Sequence, residues 1–151
     1  MLNFIKALVT LNSAMAEKVR SIIAYDEALA FHGRREYAKA LPLMIEAAQL
    51  GNPQAMSLLG SMYLLGQGVK ENGSEATKWL VAAVDAGFDE ASSVLGMAYA
   101  TGKAGVPVDH PKARRLLEIA AAKGDTQSAR MLEMMEKGEG IFKKASRAHR
   151  R

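Results

Sequence analysis

The sequence predicts an all-α protein, a short right-handed α/α solenoid of stacked antiparallel helix pairs with capping helices at both ends. Three observations lead there. Similar residues recur at a period of 36 to 37, apolar residues within each period follow the i, i+4, i+7, i+8 spacing of one helix face, and a glycine closes each helical stretch.

Composition agrees with that class. Of 151 residues, 49% are hydrophobic but only 6% aromatic, and 24% are charged, the balance of a folded helical chain rather than a disordered one. The length suits one domain or one short array. Cysteine is absent, which excludes a disulfide framework, a thiol nucleophile, a thiolate zinc site and an iron-sulfur cluster. The net charge of +4 is unevenly placed. Residues 1–137 hold 15 Lys/Arg and 15 Asp/Glu, whereas residues 138–151 hold Lys143, Lys144, Arg147, Arg150 and Arg151 against Glu139. No apolar run approaches the roughly 18 residues of a membrane span.

Residues 1–16 carry Phe4, Ile5, Ala7, Leu8, Val9 and Leu11 and form an N-terminal helix or arm, either a cap over the first unit or a dimerisation element. The stretch ends in Ala14-Met15-Ala16, as a signal peptide does, but Lys6 lies inside it and no positive charge precedes it. The expected location is therefore the cytoplasm, with the periplasm or secretion as the alternative if Met1 to Ala16 is a signal peptide. The repeat domain spans 17–137: a degenerate first unit (17–51), two full repeats (52–87 and 88–124) and a capping helix (125–137). Gly51, Gly87 and Gly124 mark the unit ends, and Gly60 matches Gly96, Tyr63 Tyr99, Gly66 Gly102, Val69 Val106, Ala76 Ala113 and Ala83 Ala120. The first helix of each repeat is predicted over about 53–65 and 89–101, the second over about 74–86 and 111–123, with Asp109 or His110 near a cap. Gly60 and Gly96 fall in mid-helix, where glycine costs about 1 kcal/mol relative to alanine, so close packing of the facing helix must compensate. In the last element Glu133 and Glu136 replace the packing residues Gly60 and Tyr63, as befits a cap. Residues 138–151 read as a basic, flexible tail.

These residues resemble the Sel-one-like repeat (SLR) family, α/α repeats related to the tetratricopeptide class. The first full copy supplies Ala55, Leu59, Gly60, Tyr63, Gly66, Gly68, Val69, Ala76, Trp79, Ala83 and Gly87, departing from the pattern at Asn72, Glu75 and Val84. The second supplies Ala91, Leu95, Gly96, Tyr99, Gly102, Gly105, Val106, Asp109, Lys112, Ala113, Ala120, Ala121 and Gly124, with Leu116 in the Trp place. The resemblance covers about residues 28–124. It implies an α/α solenoid with adaptor or scaffold roles, and its small bacterial members include inhibitors that neutralise a cognate toxin.

Catalytic chemistry is not legible. The three histidines, His32, His110 and His149, lie in different elements, and phosphate-loop, dinucleotide and helical zinc motifs are absent. Gly66-Gln67-Gly68-Val69 follows a helix rather than a strand and is a repeat turn. The expectation is a protein that is not an enzyme and has no cofactor or metal. Tyr63, Trp79 and Tyr99 recur in repeat register and read as core rather than as a base-stacking platform.

What remains is the concave face, lined in such arrays by the first helix of each pair. Positions left free by packing are Ile22, Tyr25, Leu29 and His32, then Gln54, Ser57, Ser61 and Leu64, then Glu90, Ser93, Met97 and Thr101, then Gln127, Arg130 and Met134. They predict a protein or peptide partner, with a cytoplasmic toxin inhibitor or immunity protein as the specific case implied by the resemblance. The alternative is association with nucleic acid or ribosome through the basic tail, which the neutral repeat region disfavours. A homodimer through the N-terminal helix is also open.

Overall fold

The computed structural model describes residues 2–148, with side-chain detail at residues 5, 6 and 9–138. Among them the chain forms α1 (Leu2–Gly33), α2 (Tyr37–Gln49), α3 (Pro53–Leu65), α4 (Gly73–Asp85), α5 (Ala91–Thr101), α6 (His110–Ala122) and α7 (Thr126–Ala148), with a single 3-10 turn at Lys103–Gly105 and no strand. The helices pair as α1 with α2, α3 with α4 and α5 with α6, and each pair stacks on the next, closed by α7 on α6. This is an α/α solenoid. None of the helices is long and apolar enough to cross a membrane among the described residues.

Local chemistry sets the boundaries. Asn52, Asn72 and Asp109 precede α3, α4 and α6, and each side chain accepts the backbone N–H three residues on, at 3.0, 3.1 and 2.9 Å. Those bonds satisfy donors that a helix start leaves without partners. Asn72, where the repeat pattern has Asp, makes the same bond. At the far end of each second helix the N–H of the residue after Gly51, Gly87 or Gly124 returns to the carbonyl of Ala47, Ala83 or Ala120, at 3.0, 2.9 and 3.1 Å. This closure needs a left-handed residue, and the three glycines have φ of 86, 85 and 94°. One expected boundary moves: α5 begins at Ala91 rather than near residue 89. Ala91 and Ser92 donate to Phe88 and Asp89 three residues back, a tight turn that delays the helix, and no side chain caps it.

Packing depends on small residues. Ala24 and Ala28 of α1, Ala40, Met44, Ala47 and Ala48 of α2, and Ala55, Leu59 and Met62 of α3 form one buried cluster; Leu64, Ala76, Leu80, Ala83, Ala91, Leu95, Ala98 and Val106 form the next. Because α3 contributes to both, the core runs through successive pairs. Tyr63, Trp79 and Tyr99 are half-buried against these clusters, which is the core role expected of them. A Cβ on Gly60 would lie 2.6 Å from Leu80 Cγ and 3.0 Å from the Ala76 carbonyl oxygen, and one on Gly96 would lie 2.8 Å from Leu117 Cγ.

Both ends differ from the expected segmentation. No boundary separates residues 1–16 from the first unit: α1 is uninterrupted from Leu2 to Gly33, because no Gly or Pro stands between. Residues 9–20 are all exposed, so this half of the helix does not cap the first unit. At the other end α7 remains helical past residue 137 to Ala148, where the sequence suggested a flexible tail. Lys, Ala and Arg there are good helix formers. The tail's side chains lie outside the described residues.

Gly60→Ala tests the close approach directly. Better helix propensity favours the variant by about 1 kcal/mol, while overpacking costs about 1–3 kcal/mol. Urea denaturation should show a net loss of about 1 kcal/mol, and a stabilised variant would contradict the packing described.

Candidate functional site

The first helices approach one another, α3 with α5 and α5 with α7, more than the second helices do, so the row curves toward the α3–α5–α7 side. On that side lies a hollow of about 320 Å³ lined by Ser61, Leu64, Leu65, Ser93, Val94, Met97, Ala98, Thr101, Lys103 and Gln127. Six expected residues meet here: Ser61, Leu64, Ser93, Met97, Thr101 and Gln127.

The others are spread along the array. Gln54 shares a separate hollow of about 480 Å³ with Ile22, Ser21 and Asn52. Glu90 lines a third, beside Asp89, Lys123 and Asp125, into which Ser93 also reaches. Tyr25 and Leu29 lie on α1, half-buried and exposed respectively. His32 Nε2 lies 3.1 Å from Gln67 Oε1, and its ring meets Tyr37 edge-on at 5.1 Å, contacts that tie the end of α1 to α2 and to the α3–α4 turn. Ser57 is half-buried, and its carbonyl accepts the Ser61 hydroxyl. Arg130 and Met134 are exposed on α7, outside these hollows.

Leu64 requires correction as a free surface residue. It is only 5% exposed and belongs to the second core cluster, so it forms the floor of the groove. The exposed apolar side chain at the rim is its neighbour Leu65, at 57%. Tyr63 matches Tyr99, so the register partner of Thr101 is Leu65 and not Leu64. Holding that register through both copies identifies Leu65 from sequence. Lys103 was also missed; it comes from the 3-10 turn created by the extra residue of the second repeat, and it pairs with Glu71 at 3.0 Å.

The groove's hydroxyls are already engaged. Ser61 Oγ donates to the Ser57 carbonyl at 3.1 Å and Thr101 Oγ1 to the Met97 carbonyl at 2.8 Å. Ser93 Oγ donates to Asp125 Oδ2 at 2.7 Å, and Asp125 also accepts the Ser128 hydroxyl and, at 3.0 Å, the Ser128 N–H. Ser93 thus helps fix the start of α7 against α5. These hydrogen bonds, led by the Ser128 hydroxyl and then that of Ser93, lower the Asp125 carboxyl to about 2. With its hydroxyl protons engaged, the groove offers Leu65, Val94 and Met97 as contacts and is a mainly apolar surface edged by Gln127 and Lys103. Among the described residues no three His, Asp or Glu side chains converge on a metal position.

The Sel1 repeat model matches residues 53–88 and 90–125, the units α3–α4 and α5–α6. The chain carries two Sel1 repeats. Its Sel1 array is similar to the protective antigen c5321 of uropathogenic Escherichia coli, which displays an SLR fold: 34% identity, TM-score 0.70, 76% of this chain and 25% of that one. It is likewise similar to a Sel1 repeat protein from Oxalobacter formigenes, at 38% identity and TM-score 0.59 over 65% of this chain and 28% of that one. The chain therefore spans about a quarter of the length of these two relatives. Helicobacter pylori cysteine rich protein B shares the fold at 23% identity and TM-score 0.54, over 62% of this chain and 70% of that one. No curated protein matches the sequence.

The Asp125 cluster generates a pH-dependent expectation. A carboxyl lowered in the folded state contributes stability that is complete above its ordinary value near 3.8 and is lost as pH falls through about 2. Asp125→Ala should cost about 1 kcal/mol at neutral pH, the usual value of such a cap. Denaturation curves of the two proteins should converge near pH 2.

Proposed function

We propose that the chain is a non-catalytic protein-interaction module that grips an extended segment of a protein partner in the α3–α5–α7 groove. One observation carries this reading: Leu65, Val94 and Met97 stand over a floor of Leu64 and Ala98 in a hollow whose hydroxyls are bound to the protein itself. Such a surface gains from apolar burial, at about 25 cal/mol per Å², and discriminates weakly between polar partners. Affinity is expected to concentrate in one or two apolar anchors of the partner that displace water from this hollow. Membership among Sel1-repeat proteins supports a protein as the ligand.

The toxin-neutralising role implied by the family resemblance is one case of this reading, in which the gripped segment belongs to the toxin and inhibition follows from covering its working surface. The nucleic-acid alternative rests on tail side chains outside the described residues, and no observation favours it.

Selection of displayed peptides on the intact chain should enrich sequences with paired large apolar residues. Leu65→Glu and Met97→Glu should each weaken the selected peptides at least about tenfold, the effect of losing one anchor of about 1.4 kcal/mol. Val81→Glu, exposed on α4, serves as the control and should bind normally. Equal binding by all three variants would remove the groove from the proposal.

A further inference from the structure

The first half of α1 presents a surface that the groove reading leaves unused. α1 is buried against its own domain through Ser21, Ala24 and Ala28, and Arg20 marks the start of that contact by pairing with Glu46 of α2 at 2.6 Å. At 3.6 residues per turn, Ile5, Asn12, Met15, Val19 and Ile22 lie on the opposite side of the helix. Ile5, Val9, Leu11, Met15, Val19, Ile22 and Ile23 are between 47 and 65% exposed. The charged residues of the stretch, Lys6, Glu17, Lys18 and Arg20, all lie off this row. The helix thus turns one face to its own core and an apolar face away from it.

We propose that a second copy of this chain covers that face, the two α1 helices pairing in parallel over residues 5–23. Spacing supports a helical partner: Ile5, Asn12 and Val19 repeat every seven residues, and Met15 and Ile22 form the second row of the same seam. β-branched residues in the first row with a single Asn at its centre are the pattern of a parallel two-stranded seam. In a parallel pair Asn12 meets the Asn12 of the other copy and the amides bond to each other. In an antiparallel pair that matches Ile5 with Ile22, Asn12 faces Met15 and its amide is buried without a partner, at a cost. The row ends at Asp26, where two carboxylates would face each other, so the pair splays there and leaves room for the two repeat domains on its outer sides.

The area is of the right order. Side chains of this size, about half exposed, offer on the order of 100 Å² each. The seven expose at most roughly 700 Å² per copy, with Val9, Leu11 and Ile23 covered at the flanks of the seam, against the roughly 800 Å² per partner of a stable interface. A lipid surface fits less well, because membrane-binding helices carry a strongly basic polar face. Here Glu17 stands among Lys6, Lys18 and Arg20, and Arg20 is already paired with Glu46.

Sedimentation of the full chain should give twice the 16.3 kDa chain mass, and Met15→Glu with Val19→Glu should halve it while helix content and selected-peptide binding stay unchanged. Since the chain has no cysteine, Ile5→Cys and Val19→Cys report orientation separately. Each should cross-link to its own copy on oxidation, because a disulfide needs Cα atoms within about 7 Å. A 16.3 kDa mass for the unaltered chain, including one that floats with anionic phosphatidylglycerol vesicles, overturns the proposal. A dimer that survives the double Glu substitution, or one in which neither single-cysteine variant cross-links, overturns it as well. These outcomes leave the groove reading standing or falling on its own, since Leu65 and Met97 are on α3 and α5.

Discussion

Close approach between the helices of each pair is the constraint on which the rest depends. A pair this short cannot cover its own apolar face, so it must both close on itself and stack on its neighbours. Both contacts compete for the same few side chains. Glycine at 60 and 96 and alanine at 76, 83, 113 and 120 resolve the competition by letting the two helices of a pair nearly touch, with Leu80 and Leu117 filling the space over the glycines. The larger residues, Met44, Leu59 and Met62, are then free to bridge from one pair to the next. A mid-helix glycine, unfavourable by local propensity, becomes favourable through packing.

This division explains why the fold was largely legible in the sequence. Packing glycines, capping Asn and Asp residues and left-handed closing glycines are each fixed by a local steric or hydrogen-bonding demand, and each recurs with the repeat. Asn72 departs from the repeat pattern in name and not in chemistry, because its amide oxygen accepts the same N–H as the carboxylate of Asp109. Where no such demand exists the reading was weaker. Nothing in residues 1–33 before Gly33 specifies an end, so a boundary at residue 16 had no physical basis. The start of α5 lies two residues after residue 89, the position in repeat register with Pro53, because Asp89 pairs with Lys123 at 3.2 Å and the backbone turns tightly there instead.

The groove was legible in outline and not in detail. The first helices α3 and α5 and the final helix α7 bring Ser61, Met97, Thr101 and Gln127 to one hollow. Whether a hydroxyl is available depends on neighbours one turn away or in the next unit, which periodicity does not encode. Ser93 illustrates this: as an exposed polar position it suggests a ligand contact, but Asp125, 32 residues later, holds its hydroxyl. Leu64 and Leu65 differ by one position and about 100° of helix rotation, enough to exchange a core residue for a rim residue.

Exposed apolar surface in a repeat array has a trivial source, an end on which no further unit is stacked. The two ends of this array differ in what they expose. At the C-terminal end α7 covers α6, turning Glu133 and Lys137 to solvent as an ion pair and setting Glu136 beside Arg114, while Ile119 and Met134 stay exposed. At the N-terminal end the α1 residues that meet α2 are small and buried, whereas Met15 and Val19 lie on the far side and half a helix beyond the unit. The α1 row and the Leu65–Met97 groove thus lie on different helices, α1 on one side and α3 with α5 on the other, so that substitutions in one leave the other untouched.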